Sequence, residues 1–278
     1  MTDKLIRRKK VYLKINRKKV SVFMTGCVLL AVLALGGCSQ GASGTIAIGG
    51  SSTVQPLAEK WGKAFEAKNP DVKITVQGGG SSAGVKGCAE GIFDIGAASR
   101  EMKSSEADQW PELVAIHVAV DGVAIVINPA SNSVTGMTLE EVRDIFASGS
   151  NATWTVINRE EGSGTREVFE EKVMSDTKVA PNAEFLPSNG AVKQKVAATA
   201  NAIGYISLGY VDSSVKALSI GGVACNEVNC AEGSYPVTRY LNFITKGAPD
   251  GLSKEFIDFC LGSEGQKIVG EEDYISIA

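Results

Sequence analysis

The stretch "WTVINREEGSGTREVFEEKVM", residues 154–174, changes period in its middle. "WTVINR" is rich in β-branched and aromatic residues and predicts a strand. "TREVFEEKVM" turns Val168, Phe169 and Val173 to one side and predicts a helix. Between them Gly162 and Gly164 flank Ser163, Thr165 follows, and Arg159 and Arg166 stand on either side. Glycine lets a backbone approach a ligand closely. The first N–H groups of a helix have no partner inside it, and the helix dipole favours negative charge there. Two guanidiniums, two hydroxyls and a bare turn fit an anion with several oxygens, because the arginine fork donates to oxyanions in pairs.

The same alternation continues in both directions. "TIAIGG" (45–50), "VKITVQ" (72–77), "FDIGAAS" (93–99) and "AIGYISL" (202–208) predict strands. "VQPLAEKWGKAFEAKNP" (54–70) predicts a helix with Leu57, Trp61 and Phe65 on one face, and "SSAGVKGCAEG" (81–91) and "NGAVKQKVAATA" (189–200) predict two more. "TLEEVRDIF" (138–146) opens with a capping box, Thr138 and Glu141. "LVAIHVAVDGVAIVINP" (113–129) is a long β-rich run expected to break at Asp121-Gly122. "VTRYLNFIT" (237–245) is a long alternating strand, and "SKEFIDFCLGSEGQKIVG" (253–270) closes the chain helically. Strands alternating with helices predict an α/β fold with largely parallel sheets, in which ligands sit where strands hand over to helices.

Three such turns share one composition: "IGGSSTVQP" (48–56), "QGGGSSAG" (77–84) and "REEGSGTRE" (159–167). A fourth, "GAASRE" (96–101), adds Ser99 and Arg100. Any one of them reads as ordinary helix capping. Together with Arg159, Arg166 and Arg100 they read as a converging anion site.

The N-terminus has another purpose. Residues 1–19 carry nine Lys or Arg, followed by an uncharged apolar run from Val20 to Leu35 and then Gly36-Gly37-Cys38. This is the plan of an export signal, and the run is shorter than the roughly 20 residues of a membrane span. Cleavage after Gly37 leaves 241 residues carrying 19 basic and 30 acidic side chains, a net charge of −11. Such a domain has no basic field for nucleic acid. Four cysteines remain beyond Cys38, and an exported domain permits disulfides. They allow three pairings, of which Cys225 with Cys230 is favoured because only four residues separate them. Ligand spacing for a metal is absent, and so is a phosphate-binding loop of the nucleotide-hydrolysing kind. "GSSAG" (80–84) matches the serine-hydrolase elbow around Ser82, but the single His117 lies in a strand-like run, in the wrong chain order for that triad.

In "GGSSTVQPLAEKW" (49–61), "GGGSSAGVK" (78–86), "REEGSGTREVF" (159–169) and "NAIGYISLGY" (201–210), taken in that order, the chain resembles the substrate-binding lipoproteins of phosphate-specific ABC transporters. The resemblance runs from Gly44 to the C-terminus. It implies a fold of two α/β lobes joined by a hinge and closing on dehydrated phosphate. Lobe one would comprise 44–121 and 240–278, and lobe two 122–239, after a signal peptide over 1–37 and a tether over 38–43. Phosphate contacts carried over are Ser52, Thr53, Ser81, Arg159, Ser163, Gly164 and Thr165. Many members carry an Asp after "GAS" that accepts the proton of hydrogen phosphate and repels sulfate. Ser99 stands at that position here, followed by Arg100, and Glu161, Asp94 and Asp121 are carboxylates that could replace it. The resemblance also implies lipidation of Cys38, a lipid anchor on the outer face of the membrane, permease subunits as partners, a monomer, and no cofactor, metal or catalysis. An oxyanion sensor of the same fold is the alternative.

Overall fold

The structure is a computed structural model that describes residues 42–131 and 133–278. The signal, the lipobox with Cys38 and most of the tether fall outside the described residues.

The chain opens with β1 (Gly44–Gly50), α1 (Gln55–Lys68), β2 (Val72–Gly78), α2 (Ser81–Ala89), β3 (Ile95–Ala98), a short α3 (Ser104–Gln109) and the 15-residue strand β4 (Leu113–Ile127). β5 (Gly136–Met137), α4 (Leu139–Ser148), β6 (Thr155–Arg159), α5 (Gly164–Phe169), β7 (Glu184–Leu186), α6 (Asn189–Ala198) and β8 (Ala202–Ser207) follow. β9 (Lys216–Ala217), β10 (Ser219–Ile220), α7 (Glu227–Ala231), β11 (Thr238–Lys246), α8 (Gly251–Leu261) and α9 (Ser263–Glu271) complete it.

The main sheet runs β2-β1-β3-β11-β4-β8-β6-β7, with β9 beside β4. β1 is parallel to β2 and β3, and β6 is parallel to β7 and β8. β4 and β11 run antiparallel to each other through the middle. β4 does not break at Asp121-Gly122 as its sequence suggests. It changes partner there, pairing with β11 from Leu113 to Gly122 and with β8 from Val123 to Ile127. The glycine serves packing instead: a Cβ on Gly122 would lie 2.7 Å and 2.8 Å from the sulfurs of Cys230 and Cys225.

The change of partner separates two cores, and with them two α/β lobes. One core gathers Ile46, Ile48, Leu57, Trp61 and Phe65 with Leu241, Phe243 and Phe256. Helical spacing puts Leu57, Trp61 and Phe65 on the buried face of α1, as their sequence predicts. The Trp61 indole donates to the Gly265 carbonyl at 2.8 Å, so the largest side chain in this core buries no unpaired N–H. The other core holds Val123 to Ile127, Val142, Phe146, Phe169, Val192 and Tyr205. α2 covers the opposite face of β3 and β11 through Val85 and Cys88.

Two helical readings change in detail. The helix after Thr165 continues past Phe169 as a π-helical turn, Glu170–Met174, and stops at Ser175, whose φ of 53° is left-handed. The closing helix is two helices, divided at Gly262. Thr138 forms the expected capping box, its hydroxyl accepting from the Glu141 N–H at 3.1 Å while Glu141 accepts from the Thr138 N–H at 2.7 Å.

Candidate functional site

Three strand-to-helix turns meet where the lobes touch. The β1–α1 turn supplies Ser51, Ser52 and Thr53, the β2–α2 turn Ser81, and the β6–α5 turn Arg159, Ser163, Gly164 and Thr165, all buried. Ser99 reaches the cluster from the end of β3, its N–H donating to Ser81 Oγ at 3.0 Å. The approach is close enough to require glycine. A Cβ on Gly164 would stand 2.2 Å from Ser81 Oγ and 2.8 Å from Ser99 Oγ. Gly80 has φ +89°, and a Cβ there would meet the Gly162 carbonyl at 2.9 Å.

The hydroxyls form one network across the turns. Thr53 Oγ1 and Thr165 Oγ1 share a hydrogen bond of 3.1 Å. Asn189 Nδ2, at the start of α6, donates to Thr53 Oγ1 at 2.8 Å and to Ser52 Oγ at 3.4 Å. The Tyr210 hydroxyl donates to the Ser52 carbonyl at 2.6 Å, and Tyr274 does the same to Thr53 at 2.8 Å. Burial pushes the Tyr210 phenol up to about 12, so it remains a donor. Ser163 caps α5, its Oγ accepting from the Arg166 N–H at 3.3 Å.

The arginines divide sharply. Arg159 is 1% exposed. Its Nε and Nη2 donate to the two carboxylate oxygens of Glu160 at 3.0 and 2.8 Å, and Nη2 also reaches Ser52 Oγ at 3.4 Å. Its Nη1 is buried and has no hydrogen-bond partner. Arg100 lies beside the cluster, but its guanidinium turns away. Nη1 and Nη2 donate to Glu106 at 2.8 and 2.7 Å, Nη2 also to Ser82 Oγ at 2.9 Å, and Nε pairs with Glu167 at 2.7 Å. Arg166 also turns away, donating to Glu170 at 2.8 Å and to the Arg159 carbonyl at 3.2 Å.

Sequence reasoning passed over a second guanidinium at the cluster. Arg239, on β11, donates from Nη2 to Thr53 Oγ1 at 3.1 Å and from Nη1 to Ser99 Oγ at 3.3 Å. Asp121, fully buried on β4, holds it at 2.7 and 2.9 Å. Burial pushes the Asp121 carboxyl above its ordinary value, while Arg239, the Ser207 hydroxyl and the Leu208 N–H work the other way. The signal for this pair was thin: a charge in each of two strongly apolar strands, with nothing in the sequence to place them side by side. Asp94 accepts from the Ala47 N–H of β1 at 2.7 Å, and Glu161 is exposed.

The hydrolase constellation does not assemble. Ser82 Oγ is engaged by Arg100 and Glu167. His117 stacks on Tyr240 at 3.9 Å and pairs with Glu101 at 3.2 Å. Cys225 and Cys230 lie side by side as free thiols, each the other's hydrogen-bond partner. Cys88 and Cys260 are free as well and are buried in different clusters. Among the described residues no acidic, histidine and cysteine side chains group as a metal site, and no helix is long and apolar enough to cross a membrane.

Two lobes closing over a buried set of oxyanion donors define a ligand-binding protein of the periplasmic-binding type, and the family profile of the PBP superfamily domain matches residues 38–264. The phosphate-binding protein PstS of Bacillus subtilis is 36% identical over 247 residues, covering 85% of this chain and 82% of its own. A crystal structure from Clostridium perfringens, assigned as a phosphate ABC transporter substrate-binding protein and solved with bound phosphate, is 36% identical. It covers 84% of this chain and 100% of its own, with a TM-score of 0.79. An ABC-type phosphate transport receptor from Vibrio cholerae, 32% identical, covers 83% of this chain and 99% of its own, with a TM-score of 0.68. The chain belongs to the PstS family of phosphate-binding proteins.

Proposed function

We propose that this protein captures inorganic phosphate outside the cytoplasmic membrane and delivers it to the permease of an ABC transporter. The observation that carries the reading is Arg159 Nη1, a buried guanidinium nitrogen with no partner, beside hydroxyls from three converging turns. A buried N–H without an acceptor is costly, and an anion oxygen relieves it. Ser52, Thr53, Ser81, Ser99, Arg159, Ser163, Gly164 and Thr165 contact the phosphate, and Ser163 also holds the start of α5. Arg100 acts beside the site as a tie between lobes through Glu167.

Lobe one is 44–121 with 240–278, and lobe two is 122–239. β4 and β11 carry both lobes, and bending at their crossings opens the cleft. Ligand binding favours the closed form, which is the form a permease recognises. The protein catalyses no reaction and binds no nucleic acid, consistent with its acidic mature charge. Residues 1–37 direct export, Cys38 carries the lipid that tethers the protein as a monomer, and Cys225 and Cys230 oxidise to a disulfide in that compartment.

The test is isothermal titration of ligand-free protein with phosphate, paired with thermal melting. Saturable binding is expected, with a melting temperature that climbs with phosphate, worth about 2.7 kcal/mol at a hundred times Kd. A flat melting temperature up to millimolar phosphate refutes the reading.

A further inference from the structure

The hydrogen bond between Thr53 Oγ1 and Thr165 Oγ1 has two possible directions, and the nitrogens around Thr53 leave one. Asn189 Nδ2 donates to Thr53 Oγ1 at 2.8 Å and Arg239 Nη2 at 3.1 Å. A hydroxyl oxygen has two lone pairs, and here both are taken. Thr53 can then only give its proton, and Thr165 accepts it. The O–H of Thr165, on a side chain 1% exposed, is left with no acceptor among the described residues. Ser52 is placed alike. Arg159 Nη2 and Asn189 Nδ2 both reach its Oγ at 3.4 Å, and its own O–H has no acceptor among the described residues. Asn189 cannot turn its amide over. It is fully buried, and its Oδ1 accepts from the Ser207 N–H at 3.2 Å. A flipped amide would set an N–H against that N–H and point a carbonyl oxygen at Thr53.

We propose that Asn189 is a positioning residue of the anion site: it fixes the direction of the hydroxyl chain, so that Thr53 donates to Thr165 and the O–H groups of Thr165 and Ser52 point at the anion. This rests on the phosphate-binding reading. Donors already aimed at a charge need no reordering when it arrives, which is the gain of preorganisation. A neutral amide aims them without adding a charge to those already present. Arg159 and Arg239 share the oxygens that Asn189 touches, and Asp121 accepts from the hydroxyl of the same Ser207.

The experiment replaces Asn189 with Asp and with Leu and titrates each variant, beside wild type, with sodium phosphate from about pH 5 to about pH 8, where an introduced carboxyl can change its charge. Ionised, the carboxylate of Asn189→Asp still accepts from Ser207 but turns a second acceptor toward Thr53. The Thr53 proton goes to it, Thr165 donates to Thr53, and the anion loses the Thr165 O–H. Protonated, the carboxyl donates to Thr53 as the amide did. Asn189→Asp is expected to bind phosphate about a hundredfold or more weakly than wild type at about pH 8, and within about tenfold of it at about pH 5. It is also expected to take up about one proton more than wild type on binding, read by calorimetry in buffers of different ionisation enthalpy. Asn189→Leu should lose about fivefold to a hundredfold, by the same factor at every pH. An acid at a helix start is favourable, so Asn189→Asp folds even where Asn189→Leu does not. A ratio of Asn189→Asp to wild type that stays level with pH, with no additional proton taken up, overturns the positioning role and spares the phosphate-binding reading. A folded wild type that binds no phosphate removes both.

Discussion

Replacing Arg159 with alanine tests the candidate site at its centre. The side chain is 1% exposed and offers one unpartnered donor nitrogen. On the phosphate-binding reading, ligand binding makes it one half of a buried pair whose other half is a dianion stripped of water. Truncating one member of a buried charge pair costs about 3–5 kcal/mol. At about 1.4 kcal/mol per factor of ten, that is a hundredfold loss of phosphate affinity or more. The ligand-free protein suffers less. Arg159's partner Glu160 has a side chain 30% exposed, so without the guanidinium its carboxylate turns to water rather than remaining buried and unpaired. Arg159→Ala should therefore stay folded and cooperative by circular dichroism while its calorimetric titration flattens. Arg159→Lys should restore part of the affinity, keeping charge but losing the fork. Ser163→Ala should cost less, about 1–3 kcal/mol, with some of it appearing in the ligand-free protein, because Ser163 also caps α5. A folded Arg159→Ala variant that binds phosphate within threefold of wild type refutes the reasoning and places the anion elsewhere.

Gly164→Ala puts a methyl 2.2 Å from Ser81 Oγ, so closure is obstructed. We expect a roughly fivefold to hundredfold loss of affinity by calorimetry, corresponding to the about 1–3 kcal/mol typical of overpacking, and little change in the ligand-free melting temperature. Glu106 has a lowered pKa: burial pushes it up, but hydrogen bonds from Arg100 and the Lys103 N–H and the Arg100 charge outweigh burial. Its stabilisation is therefore complete above the ordinary value of 4.5 and lost as pH falls through the lowered one. Urea melts from neutral pH to about pH 3 should show Glu106→Gln less stable by about 1–3 kcal/mol at neutrality, the gap closing in acid. Protein exported to an oxidising compartment should have Cys88 and Cys260 alkylated after unfolding, with Cys225 and Cys230 labelled only after reduction, and equal labelling of all four counts against the disulfide.

The elements that could be read from sequence were those whose signals are local. Leu57, Trp61 and Phe65 mark a helix face by spacing alone, and glycine-hydroxyl turns mark where strands hand over to helices. Arg159 was legible because it adjoins such a turn. Asp121 was legible only as one of three candidate carboxylates, and Arg239 not at all, because their meeting depends on β4 and β11 pairing across more than a hundred residues of chain, with Arg239 opposite Asp121 in the register. Asn189 looked like an ordinary helix start, and only the fold carries it to Thr53. Arg100 was misleading for the opposite reason. It adjoins the right residue, but Glu106 on α3 and Glu167 on α5 claim its guanidinium first. The continuity of β4 through Asp121-Gly122 was hidden because a strand that exchanges neighbours looks, in one dimension, like a strand that ends.

The bonds that join the two lobes around the cluster have a kinetic meaning on the phosphate-binding reading. Thr53 with Thr165, Asn189 with Thr53, and Arg100 with Glu167 all run from one lobe to the other. No bound ion can leave until such links part, so the residence time is set by how often the lobes separate rather than by the ion's own contacts. Different tetrahedral anions should then share one slow escape rate in stopped-flow exchange, even where their equilibrium affinities differ. A membrane partner that grips each lobe and breaks the Arg100–Glu167 tie would shorten that residence time without touching the ion at all.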